Sequence, residues 1–256
     1  MTGAAGAPPA RAADERPFYF RAGAEHIFGV LTEPTAADSG VGVLLLSGGV
    51  YVLSTNRNRL YVRMARQLAA QGHRSLRIDY RGVGESTGMI GDYPLDDPNV
   101  PDVEAAIGQL VAAGARRIVL VGSCYGARAA MHVAAGHPAL ASMVLLAPPL
   151  GDRGRGAAAT PDEVGKVFQD RLSTLWRRRI PTLLLYGQED NYYHDFARAS
   201  AEPWLSGLFG DGSALVLRTL PGKAHGLQRI DLQDVFVDTV LDWVASVTGG
   251  DRAPAV

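Results

Sequence analysis

Short apolar runs separated by helix-like stretches make up the pattern along most of the chain. Four runs are apolar without alternation, which is typical of strands buried on both faces of a sheet. These four runs are 41–46, 118–121, 143–147 and 182–186. Apolar and aromatic residues bounded by turn residues predict four further strands, at 17–20, 26–31, 75–79 and 214–217. The pattern therefore predicts eight strands.

Between most of these strands, apolar residues recur at helical spacing. The predicted helices cover residues 60–72, 103–113, 125–135, 164–176 and 232–247. Strands that alternate with helical connections predict an α/β fold, with a mostly parallel eight-stranded sheet covered by helices on both faces. In such sheets, functional residues gather at the carboxyl ends of the strands.

The length of 256 residues suits one domain. We expect this single domain to span 17–248, with 151–179 forming a short cap insertion. The Ala-, Gly- and Pro-rich start, 1–16, and the last residues, 249–256, are predicted to be flexible tails.

Composition narrows the class of protein. The chain is 47% hydrophobic and 20% charged, with a formal net charge of -1 and no basic stripe, so we expect no nucleic-acid partner. It has no apolar stretch near the roughly 20 residues of a membrane span, and its start does not have the pattern of a secretion signal. One cysteine suits a reducing compartment, which predicts a cytoplasmic protein without membrane partners. No histidine pair has metal-site spacing, and we expect no metal and no cofactor.

The single cysteine, Cys124, lies between an apolar strand pattern and a helical pattern. Gly122 and Gly126 stand two positions before and after it. This is the spacing of the G-x-S-x-G nucleophile elbow, with cysteine in the central place. Small flanking residues matter because the elbow is a sharp strand-to-helix turn in which the backbones approach closely. Cys124 is the predicted nucleophile.

Two other interpretations compete with this one. A lone cysteine is most often a small buried apolar residue. Alternatively, Ser123 could act as the nucleophile, but Tyr125 would then occupy the second flanking position and break the small-residue frame. The spacing favours Cys124.

Two loops after later strands carry the groups that a thiol nucleophile needs. A free thiol, with a pKa of about 8.5, is mostly protonated at neutral pH and requires a neighbouring imidazole. The imidazole requires a carboxylate that fixes its orientation. His225 and Asp190 are the candidates, with Glu189 and Asp195 as rival acids.

The order Cys124, Asp190, His225 resembles that of the α/β-hydrolases. The loop 79–86, Asp-Tyr-Arg-Gly-Val-Gly-Glu-Ser, also resembles the D-x-R-G-x-G-x-S loop of that family, and the likeness extends over about 18–247. Cysteine at the elbow is similar to the dienelactone hydrolase branch and to cysteine-dependent thioesterases and acyltransferases.

The resemblance implies an oxyanion hole and a substrate pocket. One donor would be the backbone N–H of Tyr125, at the start of a helix. The second would come from the loop after the strand 41–46, either Gly49 or Val50. Tyr51 and Tyr192 are expected to line the substrate pocket.

A thiol nucleophile changes the expected intermediate from an ester to a thioester. We therefore expect an acyl-Cys124 intermediate and transfer of the acyl group of a thioester or ester to water or to an acceptor. The expected partner is a small-molecule acyl substrate, free or bound to CoA or a carrier protein. One alternative is a lactone or ester hydrolase similar to dienelactone hydrolase. An alternative of another class is an inactive binding module with the same fold.

Overall fold

A computed structural model describes residues 13–49, 52–90, 94–133, 136–152 and 164–249. Its strands are β1 (Glu15–Ala22), β2 (Glu25–Thr32), β3 (Val41–Leu46), β4 (Arg74–Ile78), β5 (Arg117–Ser123), β6 (Leu140–Leu146), β7 (Thr182–Gly187) and β8 (Leu215–Leu220). Its helices are α1 (Leu60–Ala70), α2 (Val100–Ala112), α3 (Tyr125–Val133), α4 (Lys166–Arg177), α5 (Asn191–Ala199), α6 (Pro203–Ser206) and α7 (Ile230–Thr248). A single 3-10 turn, Arg57–Arg59, precedes α1.

The eight strands form one sheet in the order β1-β2-β4-β3-β5-β6-β7-β8. The pairs β1–β2 and β2–β4 are antiparallel, and every later pair is parallel. This confirms the predicted mostly parallel, eight-stranded sheet. All residues of β3 and β7 are buried, as their unbroken apolar runs predicted.

The helices cover both faces of the sheet. From β3 the chain passes through α1 to β4 on one side, and from β4 it passes through α2 to β5 on the other. Because such crossovers are right-handed, opposite directions put α1 and α2 on opposite faces. Helix α3 contacts α2 and α4 on one face, and α7 contacts α1 on the other. The core therefore has two layers, one on each side of the central strands.

The element boundaries differ from the predicted ones at several places. Strand β1 begins at Glu15, whose carboxylate accepts a hydrogen bond of 2.7 Å from Arg66 of α1, so the described end of the predicted tail is part of the sheet. Helices α5 and α6 were not predicted. Helix α5 is nine residues long and fully buries only Phe196 and Ala199, while Tyr192 and Tyr193 are partly buried against the core.

The predicted cap, 151–179, contains α4, and its residues 153–163 lie outside the described residues, as do most of both predicted tails. The division into one domain and two tails therefore stays a prediction.

Two glycines test how tightly α2 packs on the sheet. We expect Gly42→Ala in β3 to lower the free energy of unfolding by about 1–3 kcal/mol, because the new methyl would lie 3.3 Å from Cδ2 of Leu110 on α2 and 2.7 Å from Cβ of Ala115, just after that helix. Gly108→Ala on α2 is the matched change, since a methyl there meets nothing within 4 Å. We expect it to stabilise the protein by about 0.5–1 kcal/mol. Urea unfolding measures both, and equal stability of the two variants would contradict the packing.

Candidate active site

At the carboxyl edge of the sheet, Cys124 lies at the turn between β5 and α3. Its φ of 49° lies in the left-handed region, which costs a residue other than glycine roughly 1–3 kcal/mol. The backbone N–H of Cys124 donates to the carbonyl of Leu146 in β6 at 2.8 Å, which ties the bend to the neighbouring strand. The side chain is half-buried. Cys124 thus has the backbone conformation expected of the central residue of an elbow.

Two glycines make this bend possible. A Cβ at Gly122 would collide with the carbonyl oxygen of Gly126, in the first turn of α3. A Cβ at Gly126 would collide with the carbonyl oxygens of Leu46 and Ser47, at the end of β3. The predicted reason for small residues at both flanks therefore holds: helix and strands approach to backbone contact.

Ser123, the alternative nucleophile, lies in a different environment. Its side chain is buried, and its hydroxyl lies 3.4 Å from the Tyr61 hydroxyl, which donates to the carbonyl of Leu46 at 3.0 Å. Burial raises the pKa of Tyr61 to about 12, so that hydroxyl stays protonated and able to donate. Ser123 is therefore the last residue of β5, and its side chain packs between that strand and α1.

The loop after β3 lies directly against the elbow. An ideal Cβ at Gly48 would be 3.6 Å from Cβ of Cys124, and one at Gly49 would be 3.7 Å from Cβ of Tyr125. Gly49 has a φ of 132°, a backbone conformation that residues other than glycine rarely adopt. The loop after β3 therefore lies beside the first residue of α3. Val50, the other candidate donor, lies outside the described residues.

Asp190 is buried in the loop after β7. Its Oδ2 accepts three backbone hydrogen bonds, from Gly187 at 3.0 Å, Ala224 at 3.2 Å and His225 at 2.8 Å. A Cβ at Gly187 would lie 2.5 Å from the same oxygen, so glycine is required there. The carboxylate therefore joins the loop after β7 to the loop that carries His225.

The rival acids do not make this connection. Glu189 is exposed, and Asp195 forms an ion pair of 2.5 Å with Arg198 on the surface of α5. The structure brings Asp190, and neither rival, to the backbone of His225.

The imidazole of His225 packs against the ring of Tyr192, with the ring centroids 4.5 Å apart. Tyr192 lies in the first turn of α5, directly after Asp190 and Asn191. Of the two tyrosines predicted at the pocket, Tyr192 therefore lies next to the candidate histidine. Tyr51 lies outside the described residues.

The motif loop after β4, residues 79–86, binds backbone groups of its own segment and of the segment after β3. Asp79 accepts hydrogen bonds from the backbone N–H of Ser54 at 2.6 Å and of Glu85 at 3.2 Å. The hydroxyl of Ser86 donates to the Asp79 carbonyl at 2.6 Å. Arg81 forms an ion pair with the fully buried Asp102 of α2 at 2.5 Å. These bonds tie the segment after β3 and the loop after β4 into one unit beside the elbow.

Part of the chain matches a known family model. A family model described as "Serine aminopeptidase, S33" matches residues 55–179. A search of the curated proteins gives no match.

Solved structures match nearly the whole chain. A putative hydrolase from Agrobacterium vitis S4 is 20% identical with a TM-score of 0.61, over 91% of this chain and 100% of that one. XC6422 from Xanthomonas campestris, described as an α/β serine hydrolase without a lid, is 19% identical with a TM-score of 0.60, over 96% and 100%. The Pyrococcus furiosus esterase Pf2001 is 16% identical with a TM-score of 0.65, over 93% and 94%. The chain has the α/β-hydrolase fold.

Within this α/β-hydrolase fold, the helix after the elbow is held by a buried arginine. Arg128 is fully buried and donates to the carbonyls of Leu95 at 2.9 Å and Pro149 at 3.0 Å. It also forms an ion pair of 2.7 Å with Asp152, which in turn accepts from the first backbone N–H groups of α4. The pKa of Arg128 is lowered, mainly by burial. No sequence pattern identified this residue.

His132 lies one turn further along α3, between two carbonyl oxygens. Its Nδ1 is 2.9 Å from the carbonyl of Arg128, and its Nε2 is 3.0 Å from that of Asp96. Burial, together with the nearby positive charges of Arg171 and Arg128, lowers the pKa of His132 below its ordinary value of 6.5, although both carbonyls oppose that shift.

Two further features of the structure concern metal binding and membrane-spanning helices. Among the described residues, no group of three or more His, Cys, Asp or Glu side chains could hold a metal ion. In the same part of the chain, no helix is both long and apolar enough to cross a membrane.

The lowered pKa of His132 predicts how stability depends on pH. Between the folded pKa and about 6.5, the unfolded chain binds more protons at this residue than the folded one. Stability is therefore lost as the pH falls below about 6.5. We expect His132→Gln to lose less stability than the wild type between pH 7.5 and 5.5, measured by urea unfolding at each pH. His194→Gln, at an exposed position of α5, is the control, and an unchanged slope in His132→Gln would contradict the prediction.

Proposed function

We propose that this protein is an acyl-transferring enzyme in which Cys124 attacks the acyl group and carries it as a thioester. The observation that carries the proposal is the backbone of Cys124, with its φ of 49° and the glycine loop 48–49 packed against it. Residues held in this left-handed region often lie at functional sites, which supports a functional role for Cys124. The match to hydrolase structures supports the same reaction class.

In the proposed reaction, His225 removes the proton from Sγ of Cys124 as the thiolate attacks the carbonyl carbon of an ester or thioester. The tetrahedral intermediate collapses, its bond to the leaving oxygen or sulfur breaks, and the leaving group takes the proton from His225. Water or an acceptor nucleophile then attacks the acyl-Cys124 thioester and gives its proton to His225. The thiol is regenerated when the carbon–sulfur bond breaks and the proton returns to Sγ.

Asp190 orients the imidazole in this proposal. Three backbone N–H groups hold one oxygen of its carboxylate, and one of them belongs to His225 itself. A carboxylate fixed in this way keeps the histidine loop in place and stabilises the imidazolium as it forms. Tyr192, packed on the imidazole, restricts the movement of the ring from the other side.

The oxyanion of the tetrahedral intermediate would be bound by the backbone N–H groups of Tyr125 and Gly49. Tyr125 is the first residue of α3, where the helix dipole favours negative charge, and Gly49 is packed against it. One such donor contributes about 10²–10³-fold to the rate in comparable sites. Val50 stays the alternative second donor.

The thiol favours thioester substrates. Transfer of an acyl group from a thioester to Cys124 exchanges one thioester for another, so the acyl group remains activated for the second step. Hydrolysis or acyl transfer on a free, CoA-bound or carrier-bound thioester is therefore our first candidate. Lactone or ester hydrolysis is the second, and the fold match to the Pyrococcus furiosus esterase favours it. The cytoplasmic location stays a prediction.

Selective modification of the single cysteine tests the nucleophile. We expect iodoacetamide to label wild type stoichiometrically at neutral pH, and a short acyl thioester to leave an acyl adduct on Cys124, both detected by intact-mass spectrometry. Cys124→Ala should lose both signals. Ser123→Ala should keep both, because Ser123 packs against Tyr61.

His225→Ala is the variant that separates a catalytic thiolate from an inactive binding module. We expect it to slow labelling of Cys124 by about 10-fold or more, because most of the thiol stays protonated without the imidazole. Labelling that proceeds at the wild-type rate would contradict the activated-thiolate hypothesis.

Conservative changes test the acid. We expect Asp190→Asn to lower the rate of thioester turnover by about 10²–10⁴-fold, since the histidine loses the charge that supports its imidazolium. Glu189→Gln is the matched control one residue earlier, at an exposed side chain, and should leave the rate near that of wild type. Steady-state kinetics measure both variants. A large loss in Glu189→Gln with a small one in Asp190→Asn would reverse the assignment.

A further inference from the structure

Three large apolar side chains are exposed in the segments that follow β3 and β4. Leu53, Met89 and Ile90 are 47%, 87% and 42% exposed. We call these three residues the apolar rim. Leu53 belongs to the segment after β3, and the other two follow the motif loop after β4. Exposed large apolar side chains elsewhere in the described ranges, such as Tyr19, Val111 and Leu217, stand on β1, α2 and β8.

One glycine turn joins the two parts of the rim. A Cβ at Gly84 would be 2.9 Å from Cδ2 of Leu53, and a Cβ at Gly82 would collide with the backbone of Met89 and Ile90. Both glycines have positive φ, 55° and 71°, so the turn is specified by its sequence. The rim is therefore built on one packed unit.

This unit is held in place before any ligand arrives. The carboxylate of Asp79 binds the backbone of Ser54, next to Leu53, and the backbone of Glu85, next to Gly84. A preformed surface binds a ligand with a smaller loss of conformational entropy than one that must order on binding.

The rim is continuous with the candidate active site. The carbonyl of Leu53 accepts a hydrogen bond of 3.1 Å from the hydroxyl of Ser47. Gly48, which follows Ser47 in the chain, is packed against Cys124. Strand β4 is two positions from β5 in the sheet, so the loop after β4 begins about 10 Å from the elbow. A chain attached to the acyl carbon at Cys124 can extend across Gly48 onto the rim.

We propose that the apolar rim binds the hydrocarbon chain of the acyl substrate, so that the enzyme prefers straight acyl chains of medium length over acetyl. This inference rests on the proposed function at Cys124. The one cation of the motif loop, Arg81, is paired with Asp102, so the chemistry of the rim suits an uncharged chain. Burial of a methylene group on apolar side chains raises affinity by up to about fourfold.

The size of the rim favours a substrate chain over a protein partner. A stable interface between two proteins buries about 800 Å² on each side, usually around aromatic anchors. Three aliphatic side chains beside the exposed Glu85 provide much less.

Affinity labelling of Cys124 tests the rim without turnover. We would compare labelling rates with N-methyl- and N-decyl-iodoacetamide, below saturation and at concentrations where the long reagent is monomeric. Cys124 is the only cysteine, so the added mass reports one site. We expect the decyl reagent to react about tenfold faster, from partial burial of its methylene groups. Leu53→Ser and Met89→Ser should each lower this ratio about threefold. Val111→Ser, an equally exposed apolar position on α2, should leave it unchanged.

The outcomes separate the rim from the nucleophile. A ratio near one in wild type, or a ratio that neither rim variant changes, overturns the inference. A change of molecular mass in sedimentation for Leu53→Ser would assign the rim to self-association and overturn it as well. His225→Ala should slow both reagents equally and keep the ratio. If His225→Ala slows neither, the proposed function fails, while the ratio still decides whether the rim binds the chain.

Discussion

The close approach of three backbones at Cys124 is the constraint on which the rest of the site depends. Gly122 and Gly126 have no room for a Cβ, because strand β5, helix α3 and the end of β3 meet there in backbone contact. This contact forces the left-handed φ of Cys124 and turns its side chain out of the strand. It also brings the loop 48–49 against the first residue of α3. The strain, roughly 1–3 kcal/mol, is small against the burial of the central strands.

Buried charged groups hold the loops around this bend by binding backbone. Asp190 gathers three N–H groups from two loops, Asp79 binds two segments beside the elbow, and Arg128 holds the helix that follows it. Since a buried charge is costly without partners, each one determines the positions of the groups that satisfy it. The result is a set of loops held in fixed positions at one edge of the sheet, as the proposed acyl transfer requires.

Cysteine at the elbow separates this chain from the serine hydrolases whose fold it shares. The fold match does not determine which atom attacks, and our proposal assigns the attack to Sγ of Cys124, the residue at the bend. A thiol in that place keeps an acyl group activated, which an oxygen nucleophile does not. Together with the apolar side chains at Leu53 and Met89, this gives the proposed enzyme a defined substrate class to be tested: uncharged acyl chains presented as thioesters or esters.

Local pattern was sufficient for the strands, for the elbow and for the order of Cys124, Asp190 and His225, because apolar periodicity and glycine spacing are written in neighbouring residues. Helix α5 was not predicted, because its nine residues are too few to show a clear helical periodicity. The hydrogen bond from the backbone of His225 to Asp190 and the packing of Tyr192 on His225 were decided only by tertiary structure. So was the burial of Arg128, whose partners lie 21 to 33 residues away in the chain. These features depend on loops from separate strands that come together at one edge of the sheet, and no single stretch of sequence shows which loops do so.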